Sequence, residues 1–542
     1  MGTTMADNVS THAGEQVEAH QGSHERSHGC GESCTNRCGC SGQGKGAGHH
    51  DHTHTHAHAH AEDHEHEHAG HPHHAGSRSL VDADLLRRFD VAGPRYTSYP
   101  TADRFSDRYT ADGLVEALKE RALSARREEP VSLYVHIPFC ESVCYYCACN
   151  KVITKHHDRG APYLEKLKSE LALIAEHLPA DTPASQLHLG GGSPTFLSDD
   201  ELARLMELLR SQFELTDDAE VSIEVDPRTV DATRLAALRQ MGFNRLSLGI
   251  QDFDPDVQRA VHREQSFESV AALMQSARAL GFQSINADLI YGLPKQTSAS
   301  FARTIAQVSA LRPDRIALYG YAHLPERFKP QRRIDSEALP TAGDKLQMLS
   351  HALSGLMGEG YSYIGMDHFA LPEDSLAVAK REGRLQRNFQ GYSTQPDRDL
   401  IALGVSAISR IGAHYSQNAK DLSTYEEALS AGRLPVERGM TLDDNDLRRR
   451  DIIMTLMCQG RLDMQHFERD HGLSFAQEYS AELERLAQLE RDGLVTVHDH
   501  LIDVTPLGWY FVRAVAMVFD QYFRRPRILQ PDEAPVRFSR IL

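Results

Sequence analysis

Six short apolar runs, at residues 132–137, 186–189, 220–225, 245–250, 284–290 and 315–319, alternate with amphipathic stretches at 162–177, 199–212, 231–241, 267–280 and 298–311. The runs have the length of strands, and the stretches between them carry the 3.6-residue periodicity of helices with one apolar face. A strand–helix–strand series at this spacing demands parallel pairing, because each crossover helix returns the chain to the same end of the sheet. Six such units predict an α/β fold, a curved and partial (β/α)6 barrel. Its chemistry is expected on the loops at the C-terminal ends of the strands.

The first of these strands runs straight into Cys140, Cys144, Cys147 and Cys149. The first three follow a C-x3-C-x2-C spacing. Soft thiolates crowded on one loop select zinc, copper(I) or an iron–sulfur cluster. Cys149 is available as a fourth zinc ligand, but its two-residue step from Cys147 is shorter than structural zinc pairs use. Three cysteines on a cubane cluster would leave one iron open to a small molecule. Spacing therefore favours iron–sulfur and leaves zinc open. Around the same rim, the second strand ends in Gly190, Gly191, Gly192 and Ser193, where bare Cα atoms let a ligand approach the backbone. Glu224 and Asp226 close the third strand, Gln251 and Asp252 the fourth, and Asp288 lies within the fifth. A lone acid at a strand end is usually a helix cap. Several on one rim beside three thiols predict a pocket for an amino group or ribose hydroxyls.

At 542 residues, the chain is too long for one ordinary core. We expect a tail at 1–79, an N-terminal segment at 80–130, the barrel core at 131–345, a barrel extension with substrate loops at 346–439 and a helical domain at 440–542. The tail is rich in Gly, His and Ser and poor in large apolar residues, so it is expected to be disordered. Its alternating His52, His54, His56, His58 and His60, with His64, His66, His68 and Cys30, Cys34, Cys38 and Cys40, form a ligand set for a divalent metal such as zinc, nickel or copper. The plainer reading is a solubilising tail. No apolar run approaches the roughly 18 residues of a membrane span. No secretion signal is recognised, which predicts a cytoplasmic protein. The net charge of -18 argues against a nucleic-acid partner.

Three further regions carry expectations. Residues 94–101 form a proline-bounded extended segment with two tyrosines. Residues 365–370 and 387–392 read as glycine- and aromatic-rich loops. There His368 is either a satisfied core residue or, with Asp367, a functional pair, and nearby arginines suit a substrate bearing several carboxylates. From about residue 440, helices at 443–457, 464–471 and 475–492 precede short strands at 494–497 and 501–504, a winged-helix-like order. Glu478, Glu482, Glu484, Glu490 and Asp492 crowd the third helix, a poor face for phosphate, so the domain is read as a lid or packing domain over the barrel mouth. Cys458 reads as a buried small residue.

Through Cys140-x3-Cys144-x2-Cys147, the sequence resembles the radical S-adenosylmethionine superfamily. Within it, residues 85–542 are similar to the oxygen-independent coproporphyrinogen III oxidases (coproporphyrinogen dehydrogenases). The motifs are 94–101, Cys147-Ala148-Cys149-Asn150, 190–195, 223–228, 249–253, 263–265, 288–296 and 365–369. The resemblance implies one [4Fe-4S] cluster on Cys140, Cys144 and Cys147, with Cys149 outside it. It implies two molecules of S-adenosylmethionine, the first held by Tyr134, Gly191, Glu224 and Ile408. The second would contact Tyr146, Gly192, Ser193, Gln251, Arg263, Asp288 and Ala322. The family often has Phe in place of Tyr146 and Thr in place of Ser193. The implied activity is radical oxidoreductase chemistry of haem (porphyrin) biosynthesis: a 5′-deoxyadenosyl radical initiates decarboxylation of two propionates of coproporphyrinogen III to vinyl groups. The product is protoporphyrinogen IX. A flavodoxin- or ferredoxin-like donor would supply electrons, and a monomer is expected. Alternative readings are a haem chaperone of the same superfamily and a metal-handling protein acting through its tail.

Overall fold

The computed structural model describes residues 85, 88–89 and 91–524. The tail histidines and Cys30, Cys34, Cys38 and Cys40 lie outside the described residues. Helix α1 (Ala111–Leu123) buries Leu114, Ala117 and Leu118 and leads into β1 (Val131–Ile137), which is buried along nearly its whole length. Such a strand, apolar on both faces, belongs to the middle of a parallel sheet. Two-residue strands β2 (Phe139–Cys140) and β3 (Val152–Ile153) then pair in parallel and pin the two ends of the cysteine loop.

Next come α2 (Gly160–Ala175), β4 (Thr182–Gly191), α3 (Asp199–Arg210), β5 (Phe213–Val225), α4 (Ala232–Gln240) and β6 (Arg245–Gln251). They are followed by α5 (Pro255–Ala260), α6 (Phe267–Ala279), β7 (Ser284–Tyr291), α7 (Ser298–Leu311) and β8 (Arg315–Gly320). β1, β4, β5, β6, β7 and β8 pair in parallel in that order. α3 shows why its segment is helical. Ser198 and Glu201 close a reciprocal capping box at its start, and Leu202, Leu205, Met206 and Leu209 bury one stripe at helical spacing.

In β6 the apolar Leu246, Leu248 and Ile250 are buried beneath the helices, and Arg245, Ser247, Gly249 and Gln251 alternate with them on the inner face. β7 does the same with Asn286, Asp288 and Ile290 inside. Barrels with bulky branched residues inside are packed solid. Here the inner residues are mostly polar and small, and the interior stays open.

After α8 (Ala342–Gly358), β9 (Ser362–Gly365) and β10 (His368–Ala370) form a hairpin that adds antiparallel to β8. Residues 365–370, expected as a loop, are thus largely strand. Only the turn Gly365, Met366 and Asp367 is irregular, with φ of 139°, 42° and 71°. Past α9 (Ser375–Arg381), β11 (Gln386–Asn388) and β12 (Gly391–Ser393) form a second hairpin, again where a loop was expected. β13 (Leu400–Leu403) pairs in parallel with β1 on its free edge, and β14 (Ile408–Ile411) and β15 (His414–Asn418) continue outward. α10 (Leu422–Ser430) precedes β16 (Val436–Thr441), which completes a twelve-stranded sheet. The sheet runs continuously across the division placed at residue 345.

The C-terminal part contains α11 (Asp444–Gln459), β17 (Arg461–Asp463), α12 (Met464–His471), α13 (Phe475–Glu478), α14 (Ser480–Arg491), β18 (Val495–Val497), β19 (Leu501–Val504) and α15 (Val512–Met517). β17 completes a small sheet ordered β17-β19-β18, and the helix expected over 475–492 is broken at Tyr479. Ile452, Leu456, Phe467 and Val515 share one apolar core with Ile364, Met366 and Ala370 of the β9–β10 region and with Tyr96 and Tyr99. The domain therefore packs behind that hairpin, and none of its residues lines the barrel cavity. The lid placement is corrected accordingly. Cys458 is 1% exposed, and burial pushes its thiol up to about 12. From the segment 94–101, Tyr96 and Tyr99 enter the C-terminal core, and Arg95 reaches the barrel cavity. Among the described residues, no helix is long and apolar enough to cross a membrane.

Candidate active site

The open interior forms a cavity of about 650 Å³. Cys140, Cys144 and Cys147 line it together with Tyr146, Gly191, Gly192, Ser193, Glu224, Gln251, Arg263, Asp288 and Ala322. Residues from five strands and the cysteine loop, up to 182 positions apart, thus meet on one surface. Two of the residues implied by resemblance are absent from that lining. Tyr134 lies on β1 in register with His188, their rings stacked with centroids 5.9 Å apart, and its hydroxyl lies 3.1 Å from His136 Nδ1. Ile408 begins β14 and packs against a small cluster holding Phe105, Tyr415 and Leu442.

The cysteine side is rich in donors to sulfur. Arg263 Nη1 lies 3.4 Å and Arg228 Nη2 3.7 Å from Cys144 Sγ, and Ser193 Oγ lies 3.7 Å from Cys140 Sγ. Asp226 balances the two guanidiniums, accepting from Arg228 Nη2 at 2.6 Å and Arg263 Nη1 at 3.2 Å. Burial opposes the charge of Asp226, but the hydrogen bond from Arg228 and both positive charges hold its carboxyl below the usual range. Burial pushes the Cys140 thiol up to about 11, whereas a hydrogen bond from Cys149 helps pull Cys147 down to about 6. Among the described residues, no three His, Cys, Asp or Glu side chains are gathered as they would be around a single ion. Thiolates on three different corners of a cubane need not share one metal position, and a donor-rich wall suits the negative charge of cluster sulfur. The residues present fit a cysteine-held cluster.

The glycine loop does something other than expected. Gly191 N–H donates to Glu224 at 3.1 Å, and Gly192 and Ser193 N–H donate to the Ile137 and Phe139 carbonyls, each at 2.8 Å. Those donors are engaged within the chain. A Cβ on Gly191, at φ 111°, would fall 2.5 Å from His136, and one on Gly192 would fall 2.6 Å from the Phe139 carbonyl oxygen. The glycines permit close packing of β4 against the cysteine loop.

Glu224 also lies 3.3 Å from His188 Nε2; burial opposes its charge, but this contact and the Gly191 N–H hold the carboxyl below its ordinary range. Asp288 behaves oppositely. Burial, then the Glu224 charge, pushes it up to about 6 despite hydrogen bonds from Ser247 and Asn286. Asp252 turns away from the rim to bond Gln296 and Thr304.

At the β8–β12 side, Arg95 donates to Asp367 at 2.6 Å and lies 5.5 Å over the Tyr319 ring. His368 Nδ1 bonds its own turn at the Met366 carbonyl, and its ring packs edge-on against Tyr319 and Tyr392. Asp367 and His368 therefore serve different partners and are not a functional pair. Sequence reasoning did not single out His188, Arg228, Arg95 and Tyr319 as lining residues. His188 and Tyr319 were legible in principle, as inner positions of period-two strands.

A model of the radical SAM superfamily matches residues 134–308, and a model of the HemN C-terminal domain matches residues 442–511. The oxygen-independent coproporphyrinogen III oxidase of Pseudomonas aeruginosa is 49% identical over 464 residues, covering 85% of this chain and 98% of that protein. The Escherichia coli K12 oxidase is 46% identical over 461 residues, with 85% and 98% covered. A solved structure described as "Coproporphyrinogen III oxidase (HemN) from Escherichia coli is a Radical SAM enzyme" superposes with a TM-score of 0.77 at 47% identity, covering 81% of this chain and 99% of that one. Fold and cysteine-lined cavity are those of a radical S-adenosylmethionine protein. Within that class, the chain belongs to the family of oxygen-independent coproporphyrinogen III oxidases.

Proposed function

We propose that the chain decarboxylates two propionate side chains of coproporphyrinogen III to vinyl groups, giving protoporphyrinogen IX in haem biosynthesis without oxygen. The observation that carries this reading is the opening of Cys140, Cys144 and Cys147 onto one polar-walled cavity, in a chain that spans 98% of its Pseudomonas oxidase relative. In this reading the three cysteines hold one [4Fe-4S] cluster. Tyr134, Gly191, Glu224 and Ile408 hold one S-adenosylmethionine, and Tyr146, Gly192, Ser193, Gln251, Arg263, Asp288 and Ala322 hold a second. When bound, cluster and S-adenosylmethionine supply the one-electron chemistry that removes a β-hydrogen from a propionate. Each propionate thereby loses one hydrogen atom to the cofactor, one electron to a one-electron acceptor supplied with the substrate, and carbon dioxide.

The chain's own residues prepare the site. Arg228 and Arg263 direct N–H donors at the Cys144 sulfur. Ionised Glu224 offers acceptors to hydroxyl or ammonium groups, and Asp288, near 6, holds or releases a proton at its carboxylate close to neutral pH. We also infer a low-potential donor of flavodoxin or ferredoxin type, a monomer, a reducing cytoplasmic setting suited to free thiols, and divalent metal binding by the tail histidines.

Anaerobic incubation of the reduced, cluster-loaded protein with S-adenosylmethionine and coproporphyrinogen III is expected to yield protoporphyrinogen IX and two equivalents of carbon dioxide. Recovery of unchanged porphyrinogen with an intact cluster would favour a chaperone instead. Equilibrium dialysis with zinc or nickel, with and without residues 1–79, checks the tail.

A further inference from the structure

Against Tyr392, which lines the cavity on its β11–β12 side, lies a buried charge that forms no ion pair among the described residues. Arg387 on β11 is 3% exposed and lies 4.7 Å over the ring of its cross-strand partner Tyr392. Its Nε and Nη1 are buried without a hydrogen-bond partner, and among the described residues no carboxylate forms an ion pair with it. Two other buried guanidiniums are matched: Arg121 meets Asp399 at 2.6 Å with both side chains 2% exposed, and Arg263 meets Asp226 at 3.2 Å. Gln390, in the turn of the same hairpin, lines the cavity, and its Nε2 is likewise buried and unpartnered.

The surroundings add positive charge. Arg513 feels the positive charges of Arg95 and Arg387 and the negative charge of Asp367, which Arg95 already engages. Burial and then the Arg387 charge push His368 down to about 4, so its ring is neutral at pH 7. The Cys458 thiol beside Arg387 is neutral as well. A buried guanidinium with open donors and no counter-charge is expensive to maintain, and such groups persist where a ligand supplies the missing charge. In sheet order, the cysteine loop follows β1 and this recess is built on β8, β10 and the β11–β12 hairpin, with four strands between β1 and β8.

We propose that Arg387 and Gln390 form a carboxylate-binding recess. It takes a propionate of the tetrapyrrole that is not reacting, leaving another propionate to face the cysteine side. The inference rests on the functional reading above and deepens it. Arg387 acts as a binding and positioning residue, and repositioning after the first decarboxylation keeps one intact propionate available to it.

The test uses full-length, cluster-loaded protein under anaerobic conditions. Fluorescence titration with coproporphyrin III, a stable tetracarboxylate, is compared with its tetramethyl ester. Arg387→Met is expected to weaken coproporphyrin binding about 30-fold, the scale of an uncompensated buried charge pair. Arg387→Lys should recover part of that loss, and the ester should bind wild type and Arg387→Met alike. The porphyrin-free Arg387→Met protein should melt at or above the wild-type temperature, because an unbalanced charge has been removed. Coproporphyrin affinity within twofold of wild type overturns the proposal. So does a lower melting temperature with unchanged affinity, which would mean that Arg387 is paired within the chain. Wild type that binds coproporphyrin through Arg387 but forms no protoporphyrinogen IX overturns the functional reading and leaves the recess standing.

Discussion

On the cysteine side of the cavity, Asp226 lies between Arg228 and Arg263, and Glu224 is held by His188 and the Gly191 N–H. On the β11–β12 side, Arg387 and Gln390 carry buried donors with no partner in the described chain. The first wall is electrostatically complete apart from the thiols, as suits a cofactor held through every turnover. The second is left in deficit, as suits a substrate that enters with its own negative charge and leaves again. A protein can sustain such a deficit because the cost is a few kcal/mol against the burial of two large apolar cores.

The contrast can be broken in four ways, taken from the largest effect down. Cys144→Ala removes one proposed cluster ligand and the thiol that Arg228 and Arg263 address. All iron and labile sulfide, and all decarboxylation, should be lost from anaerobically purified protein. An intact cluster in that variant would refute the ligand assignment. Asp226→Asn leaves two guanidiniums facing each other without their carboxylate. A buried partner removed in this way costs about 3 kcal/mol, measurable by urea unfolding. If Asp226→Asn proved neutral while Arg387→Met destabilised, the contrast between the two walls would be reversed.

Asp288 gives a pH-dependent test. An unfolded aspartate titrates near 3.9, whereas burial raises the folded carboxyl to about 6. Between these values the folded chain keeps a proton that the unfolded chain has released. Stability therefore falls as pH rises from about 4 to about 6 and is flat beyond. Asp288→Asn should remove that decline and gain about 2 kcal/mol at pH 7.5 relative to pH 4.5. An unchanged pH slope in thermal melts would argue against the shift. Smallest of all, Ser193→Ala removes a weak 3.7 Å contact to Cys140 Sγ and should change stability by less than about 0.5 kcal/mol. A large loss of cluster in Ser193→Ala would show that the sulfur donors matter more than their lengths imply.

Much of this was readable in the chain itself, for reasons that differ by element. β6 and β7 alternate cleanly, so both their outer packing and their polar inner faces follow from period two. β13 was missed because Leu400–Leu403 is four buried residues with no alternation, and only its pairing with β1 makes it a strand. The β9–β10 and β11–β12 hairpins read as loops because their strands are three or four residues long and flanked by glycine. The glycine loop was expected to admit a ligand against its backbone, whereas the close approach seen there is the chain's own: Gly192 and Ser193 donate to carbonyls more than fifty residues earlier.

By itself the sequence determined the parallel β/α series, the cysteine spacing and the rim of polar strand ends, because each depends on residues near one another in the chain. Only the tertiary structure decided which charges are matched. Arg95 meets Asp367 across 272 positions, Arg263 meets Asp226 across 37, and Arg387 meets no carboxylate among the described residues. Local propensity carries no information about such meetings. They are fixed by how the sheet curves and where the two hairpins dock, and that decides which side of the cavity is complete and which awaits a ligand.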